Sequence, residues 1–234
     1  MQVGEAIGGG WDIYKRFWRH LLPIAFVVYL VISLITILLV AIAGVLGEIA
    51  SAFVSIVGLF WVQAALVEAV ADVRDGRADL TLGETLQRVR PRIWSVAGAG
   101  ILAAIGIVIG LVLIIIPGLI LLTMWSLITP VIVLERKAAM ASFGRSRDLV
   151  RGHGWTVFGV ILVTIVLLAV VSAIVSLILT PLGDELQRYI SDVVSNTVFV
   201  PFVAAVWTVM YFRLRELKEP AAAAPAIEGA AYSE

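Results

Sequence analysis

The chain has no cysteine and only two histidines, His20 and His153. The first absence excludes disulfides, thiolate metal sites and thiol nucleophiles. The second leaves two isolated imidazoles, each beside the start of an apolar run. Neither lies within ligand spacing of clustered carboxylates, so no metal site is expected. Asp148 could pair with His153 for acid–base work, but arginines flank both. Ser142 and Ser146 stand in no GxSxG setting and have no triad partners. Charge is scarce as well: Asp, Glu, Lys and Arg make up 15% of the chain, against about 25% in an ordinary soluble domain. Formal net charge is zero, so nothing draws the chain as a whole toward nucleic acid.

What the chain does have is hydrocarbon: 61% of its 234 residues are hydrophobic and the mean hydropathy is +1.05. Apolar runs of about eighteen residues or more recur, each able to cross a core of about 30 Å as a helix. The sequence predicts an all-α polytopic membrane protein with spans at 21–46, 49–71, 94–116, 119–134, 155–179 and 194–212. The run from Leu21 to Gly47 is 27 residues, too long for a cleavable signal segment, and reads as a retained first span. Trp94 to Leu134 is a single uncharged stretch of 41 residues. Pro117-Gly118 divides it and is the predicted hairpin tip. The fourth span is short, about 24 Å at the helical rise. Pro23, Pro130 and Pro201 read as kinks in a packed bundle. The small residues of "GAGILAAIG" and "IGIVIG" suit close helix contact.

With the N-terminus inside, sixteen of the seventeen cations fall on one side and only Arg188 falls outside. The positive-inside rule therefore puts both termini in the cytoplasm. A six-helix membrane domain over 1–218 is followed by a tail, 219–234, too small-residued and proline-punctuated to pack.

A repeat organises the six spans, with units near 4–78, 79–136 and 137–215. Each unit is an amphipathic cytoplasmic helix followed by a transmembrane hairpin, and each meets a tryptophan where the membrane begins: Trp18, Trp94 and Trp155. Ile7, Trp11, Tyr14 and Trp18 form the first apolar stripe. Leu82, Leu86, Val89 and Ile93 form the second, opened by a Thr81–Glu84 capping box. Ala139, Phe143, Ser146 and Val150 form the third, and Gly152 is placed to end it.

Gln63 and Glu68 are the polar groups within a span, and burying charge in lipid is costly. Glu68 lies near the cytoplasmic end, one turn from Asp72 and Arg74, where snorkelling or pairing accounts for it; a proton or substrate role is the alternative. In "SFGRSRDLVRGHGW", Arg145, Arg147 and Arg151 serve first to hold the connection inside, on an anionic leaflet. Their guanidinium forks also suit lipid phosphate.

The stretch "IPGLILLTMWSLITPVIVLERKAAMASFGRSRDLVRGHGWTVFGV", 116–160, resembles the membrane domain attached to some glycerophosphoryl diester phosphodiesterases, which also occurs freestanding in bacteria and archaea. The shared features are the proline–glycine break, Trp125, Pro130, Glu135, Arg145-Ser146-Arg147, Leu149, Gly152 and Trp155. "GWDIYKRFWRHLLP" and "PFVAAVWTVMYFRLR" extend the likeness across most of 5–215. The resemblance implies a multi-pass domain of a prokaryotic cell membrane, without the soluble catalytic barrel. The expected function is therefore non-enzymatic: binding or organising lipids of an anionic inner leaflet, or scaffolding a membrane partner, with no cofactor. The alternative is a transporter or flippase for a lipid or small amphiphile.

Overall fold

In hydrocarbon a backbone must satisfy its own donors and acceptors, and an uncharged aliphatic run does so as a helix. The computed structural model describes residues 2–179 and 184–219, and its described elements are all helical. They are α1 (Val3–Asp72), α2 (Leu82–Val89), α3 (Ile93–Leu113), α4 (Ile115–Met124), α5 (Ile128–Leu134), α6 (Ala139–Val150), α7 (Gly154–Leu179) and α8 (Asp184–Lys218), with 3-10 turns at Val73–Asp75 and Arg90–Arg92. Five helical stretches among the described residues are long and apolar enough to cross a membrane. The fold is that of a helical membrane protein.

A straight helix of the length of α1 would be about 105 Å long, but α1 leaves helical geometry at Phe17 and Gly44. Gly44 has φ 52° and ψ −124°, a conformation that only glycine adopts cheaply. A Cβ on Gly47 would lie 2.0 Å from the Leu39 carbonyl oxygen, and the Ile32 side chain fills the space over Gly58. The chain therefore doubles back at Gly44, and α1 is a short leading segment (3–17) followed by two arms packed on each other.

Prolines set the next breaks. A proline ring collides with the carbonyl four residues earlier and offers no N–H to it. For Pro117 that carbonyl belongs to Leu113, and the chain turns extended at Ile114 (φ −153°, ψ 121°). The tip between α3 and α4 thus lies three residues before the expected Pro117-Gly118. Pro117 sits in the first turn of α4, where a missing N–H costs nothing. Gly118 instead lets the helices touch, since a Cβ on Gly110 would lie 2.9 Å from its Cα. For Pro130 the opposed carbonyl is that of Ser126, and the expected fourth span is two helices separated by Trp125–Leu127. In α8, Pro201 is absorbed without a break. That helix begins at Asp184, ten residues before the predicted span. Residues 180–183, and the predicted tail beyond Glu219, lie outside the described residues.

Two cores share α5 and α8. One joins the two arms of α1 (Leu21, Ile24, Val62, Leu66) to α2, α3 and α5. The other joins α5 to α8 with Ala6 of the leading segment, through Leu149, Val157, Met210 and Tyr211. Around both cores the helices stay apolar to the outside: Ile42, Val112 and Leu177 are each more than three-quarters exposed. That surface is compatible with lipid and not with water.

Candidate functional site

Trp18, Trp94 and Trp155 each stand in the first turn after a backbone break, and the three breaks are made differently. Phe17 takes φ −116°, ψ 20° before Trp18. Arg92 takes φ −106°, ψ −2° at the end of the 3-10 turn through Pro91. Gly152 takes φ 90° to close α6, as the sequence predicts. The indoles that follow are 47%, 70% and 88% exposed, although large aromatics in a fold are ordinarily packed. Arg19 lies 5.4 Å from the Trp18 ring centroid.

Ion pairs gather the second arm of α1, α2 and α8 at one end of the bundle. Arg74, after the second arm of α1, pairs with Glu216 of α8 and lies 4.0 Å from the Phe212 ring centroid. Arg88 of α2 reaches Glu68 at 3.5 Å, so Glu68 is paired with a cation from the neighbouring helix. Asp72 instead accepts the Asp79 and Leu80 N–H groups, both at 3.0 Å, and holds the loop into α2. Gln63 is half-buried on α1, five residues from Glu68. The Thr81–Glu84 capping box forms as predicted. Thr81's backbone N–H, bonded to the Glu84 carboxylate, is the main cause of that carboxyl's lowered pKa.

The leading segment of α1 crosses α8 closely. A Cβ on Gly10 would lie 2.7 Å from Val206 Cα. Tyr14 donates to the Val198 carbonyl at 3.0 Å, and the stacked Trp11 and Tyr14 rings both meet Phe202 edge to face. Opposite them, a Cβ on Gly9 would lie 3.1 Å from Val209 Cγ1, and Ile13 lines a cavity with Val209 and Phe212. One side of the segment thus faces residues 198–202 of α8 and the other faces 209–213.

The three arginines of the charged stretch part company on α6. Its inner face carries Ser142, Ser146, Leu149 and Val150, all fully buried. Arg145 lies beside that face, with Nε 2.9 Å from both Glu135 carboxylate oxygens and a second nitrogen 2.7 Å from Glu219. Tyr211 donates to the same Glu135 at 3.0 Å. Burial works to lower the Arg145 pKa, but the bonds to Glu135 and Glu219 outweigh it and raise it. Arg147 and Arg151 are exposed on the outer face. The expected set of three is therefore an internal clasp plus an outward pair. The clasp lines a polar cavity of about 410 Å³ with Lys137 and Arg215.

Ser146 was legible only as a stripe residue. It donates to the Met124 carbonyl at 2.7 Å and accepts from the Leu127 N–H at 3.1 Å. One hydroxyl thus satisfies two backbone groups left open by the α4–α5 break. The local signals for this role were Pro130, which forces the break, and a serine on an otherwise apolar face. Glu135 had a signal too, as the first charge after the 42 uncharged residues that follow Arg92. Among the described residues no three His, Asp or Glu side chains come together as a metal-binding group. No protein-family model, curated protein or solved structure matches the chain.

Proposed function

We propose that this is a non-enzymatic integral membrane protein that binds and organises anionic lipid at the cytoplasmic leaflet, or holds a membrane partner there. In this reading six spans form three hairpins, each led in by an interfacial segment. The observation that carries it is the exposed tryptophan in the first turn of three long apolar helices, each with arginine within four residues (Arg19, Arg92, Arg151). Indole favours the headgroup level, and guanidinium beside it favours an anionic surface. The breaks before each tryptophan support a change of direction there, from along the surface to across the bilayer. The resemblance to a phosphodiesterase-associated membrane domain agrees with such a role.

Arg147 and Arg151 are the pair free to meet lipid. At about 1 kcal/mol per cation near an anionic surface, together they contribute about 2 kcal/mol. Replacing both by glutamine should weaken retention of anionic lipid while leaving insertion intact, and lysine at both should restore it if charge alone matters. Purification from native membranes with lipid mass spectrometry tests the reading. Retained anionic phospholipid supports lipid binding, a stoichiometric co-purifying protein supports scaffolding, and the absence of both would refute the proposal. Glycerophosphodiester turnover by the pure protein, with or without divalent metal, would refute its non-enzymatic part.

One observation favours the alternative of a transporter or flippase: α4 and α5 form a discontinuous helix, a device that exposes backbone to substrate in transporters. Here Ser146 already occupies the exposed groups, which weighs against that use.

A further inference from the structure

We infer that the crevice between α4 and the start of α7 is a binding site for one anionic phospholipid, entered sideways from the bilayer. The inference rests on the lipid-binding reading above and names its site and ligand class.

The crevice exists because α4 leans the other way. Gly110 against Gly118, and Gly106 under the Trp125 ring, draw α4 onto α3. A space of about 830 Å³ is left toward α7, within the roughly 300–1,000 Å³ of small-molecule sites. Its lining is amphipathic along its length. Ile116, Leu119 and Ile120 supply the apolar part from α4, and Gly152, His153 and Gly154 supply the polar end. Ile116 and Ile120 are at least half exposed, as is Trp155 at the mouth. In a bilayer such a mouth opens on acyl chains and not on water.

The polar end suits an anion. The His153 carbonyl accepts from the Val157 N–H at 3.0 Å, so α7 starts there and its first turn lacks intrahelical acceptors. The positive end of a 26-residue helix therefore faces the crevice. The His153 Nδ1 has no hydrogen-bond partner among the described residues, and the imidazole is only partly buried at this end of the crevice. Arg151, exposed, immediately precedes Gly152. A lipid with its phosphate at Gly152–Gly154 and a chain along Ile120 and Ile116 would meet complementary groups throughout. Inorganic phosphate would gain only the polar end.

The test uses the full chain in nanodiscs of mixed phosphatidylglycerol and phosphatidylcholine, with retained lipid counted by native mass spectrometry. We expect one retained phosphatidylglycerol, favoured about two- to fivefold over phosphatidylcholine, which carries the same phosphate but sets its choline cation beside Arg151; that is the typical range for one charge at a helix N-terminus. Filling the crevice with Leu119→Phe and Ile120→Phe should abolish that retention. Ile109→Phe, an equally bulky change on the exposed side of α3 and away from the crevice, should leave it. As a check independent of bulky variants, Ile120→Cys should be protected from a lipid-soluble maleimide by phosphatidylglycerol, and not by inorganic phosphate. Equal retention in the filled variant together with no protection at Ile120→Cys would overturn the crevice site. General attraction to anionic lipid, read from Arg147→Gln alone because Arg151 borders the crevice, would stand or fall separately.

Discussion

At Ser146 one hydroxyl does what two backbone groups would do in an unbroken helix, taking the Leu127 N–H and giving to the Met124 carbonyl. Removing it leaves two polar groups without partners in a buried setting, at about 1–3 kcal/mol each. Ser146→Ala should therefore lower thermal stability clearly. Ser142→Ala should do so weakly, because Ser142 only donates to Ala139 within its own helix. Unfolding followed by tryptophan fluorescence distinguishes the two, and equal effects would mean that the break is held by packing alone. Arg145 makes a second residue-scale prediction. Its hydrogen bond is the main reason the Glu219 carboxyl is held below its ordinary pKa. A depressed carboxylate stabilises the fold above its unfolded pKa, and that contribution is lost as pH falls through the lower, folded value. The stability difference between wild type and Glu219→Gln should thus be constant near neutrality and vanish in acid, below the usual carboxylate range. A difference that persists there would assign Glu219 some other role. Local chemistry was legible in advance: the Thr81–Glu84 box and the stop at Gly152 each need only neighbours three or four residues away. Ser146 and Arg145 were not, because their partners lie 19 and 22 residues away for the serine and 10 away for Glu135. No periodicity encodes which buried polar group will meet which.

At the scale of elements, proline's effect is felt four residues upstream, which is why the predicted tip and the predicted fourth span were each displaced. The proline marks the cause, and the break appears at the carbonyl it strikes. The leading segment of α1 shows the limit of reading amphipathicity alone. Its stripe of Ile7, Trp11 and Tyr14 was visible, but its docking on α8 depends on the absence of a side chain at one glycine. Gly10→Ala puts a Cβ against the Val206 backbone, which cannot swing aside as a side chain can. The expected cost is about 1–3 kcal/mol, as for overpacking. Two residues away, Gly8→Ala meets nothing within 4 Å and should gain up to about 1 kcal/mol of helix propensity. Thermal unfolding of the two variants should move in opposite directions. A shift of the same sign in both would detach the segment from the fold's stability and leave it a free interfacial helix.

For the whole molecule, exposed apolar surface and the distribution of cations point to one placement. The second arm of α1, α2, the start of α3, α6 and the end of α8 are tied by Arg74–Glu216, Arg88–Glu68 and Arg145–Glu219, so they must lie on one side of any membrane the helices cross. The turn at Gly44 lies at the far end of two arms whose aliphatic side chains point outward. On the proposed reading, the positive-inside rule puts the ion-paired end in the cytoplasm and the Gly44 turn outside. Because the chain has no cysteine, single substitutions can report this cleanly. Thr85 and Ser142 are fully buried and would report on packing instead. Gly83 of α2 and Gly144 of α6 are exposed with open space around them, and Glu48 is exposed beside the turn. A membrane-impermeant maleimide applied to intact cells should label Glu48→Cys, and should reach Gly83→Cys and Gly144→Cys only after permeabilisation. Labelling all three from outside would mean that the arms do not cross the bilayer. Labelling only Gly83→Cys and Gly144→Cys from outside would invert the protein and move the arginine–tryptophan end to the opposite leaflet.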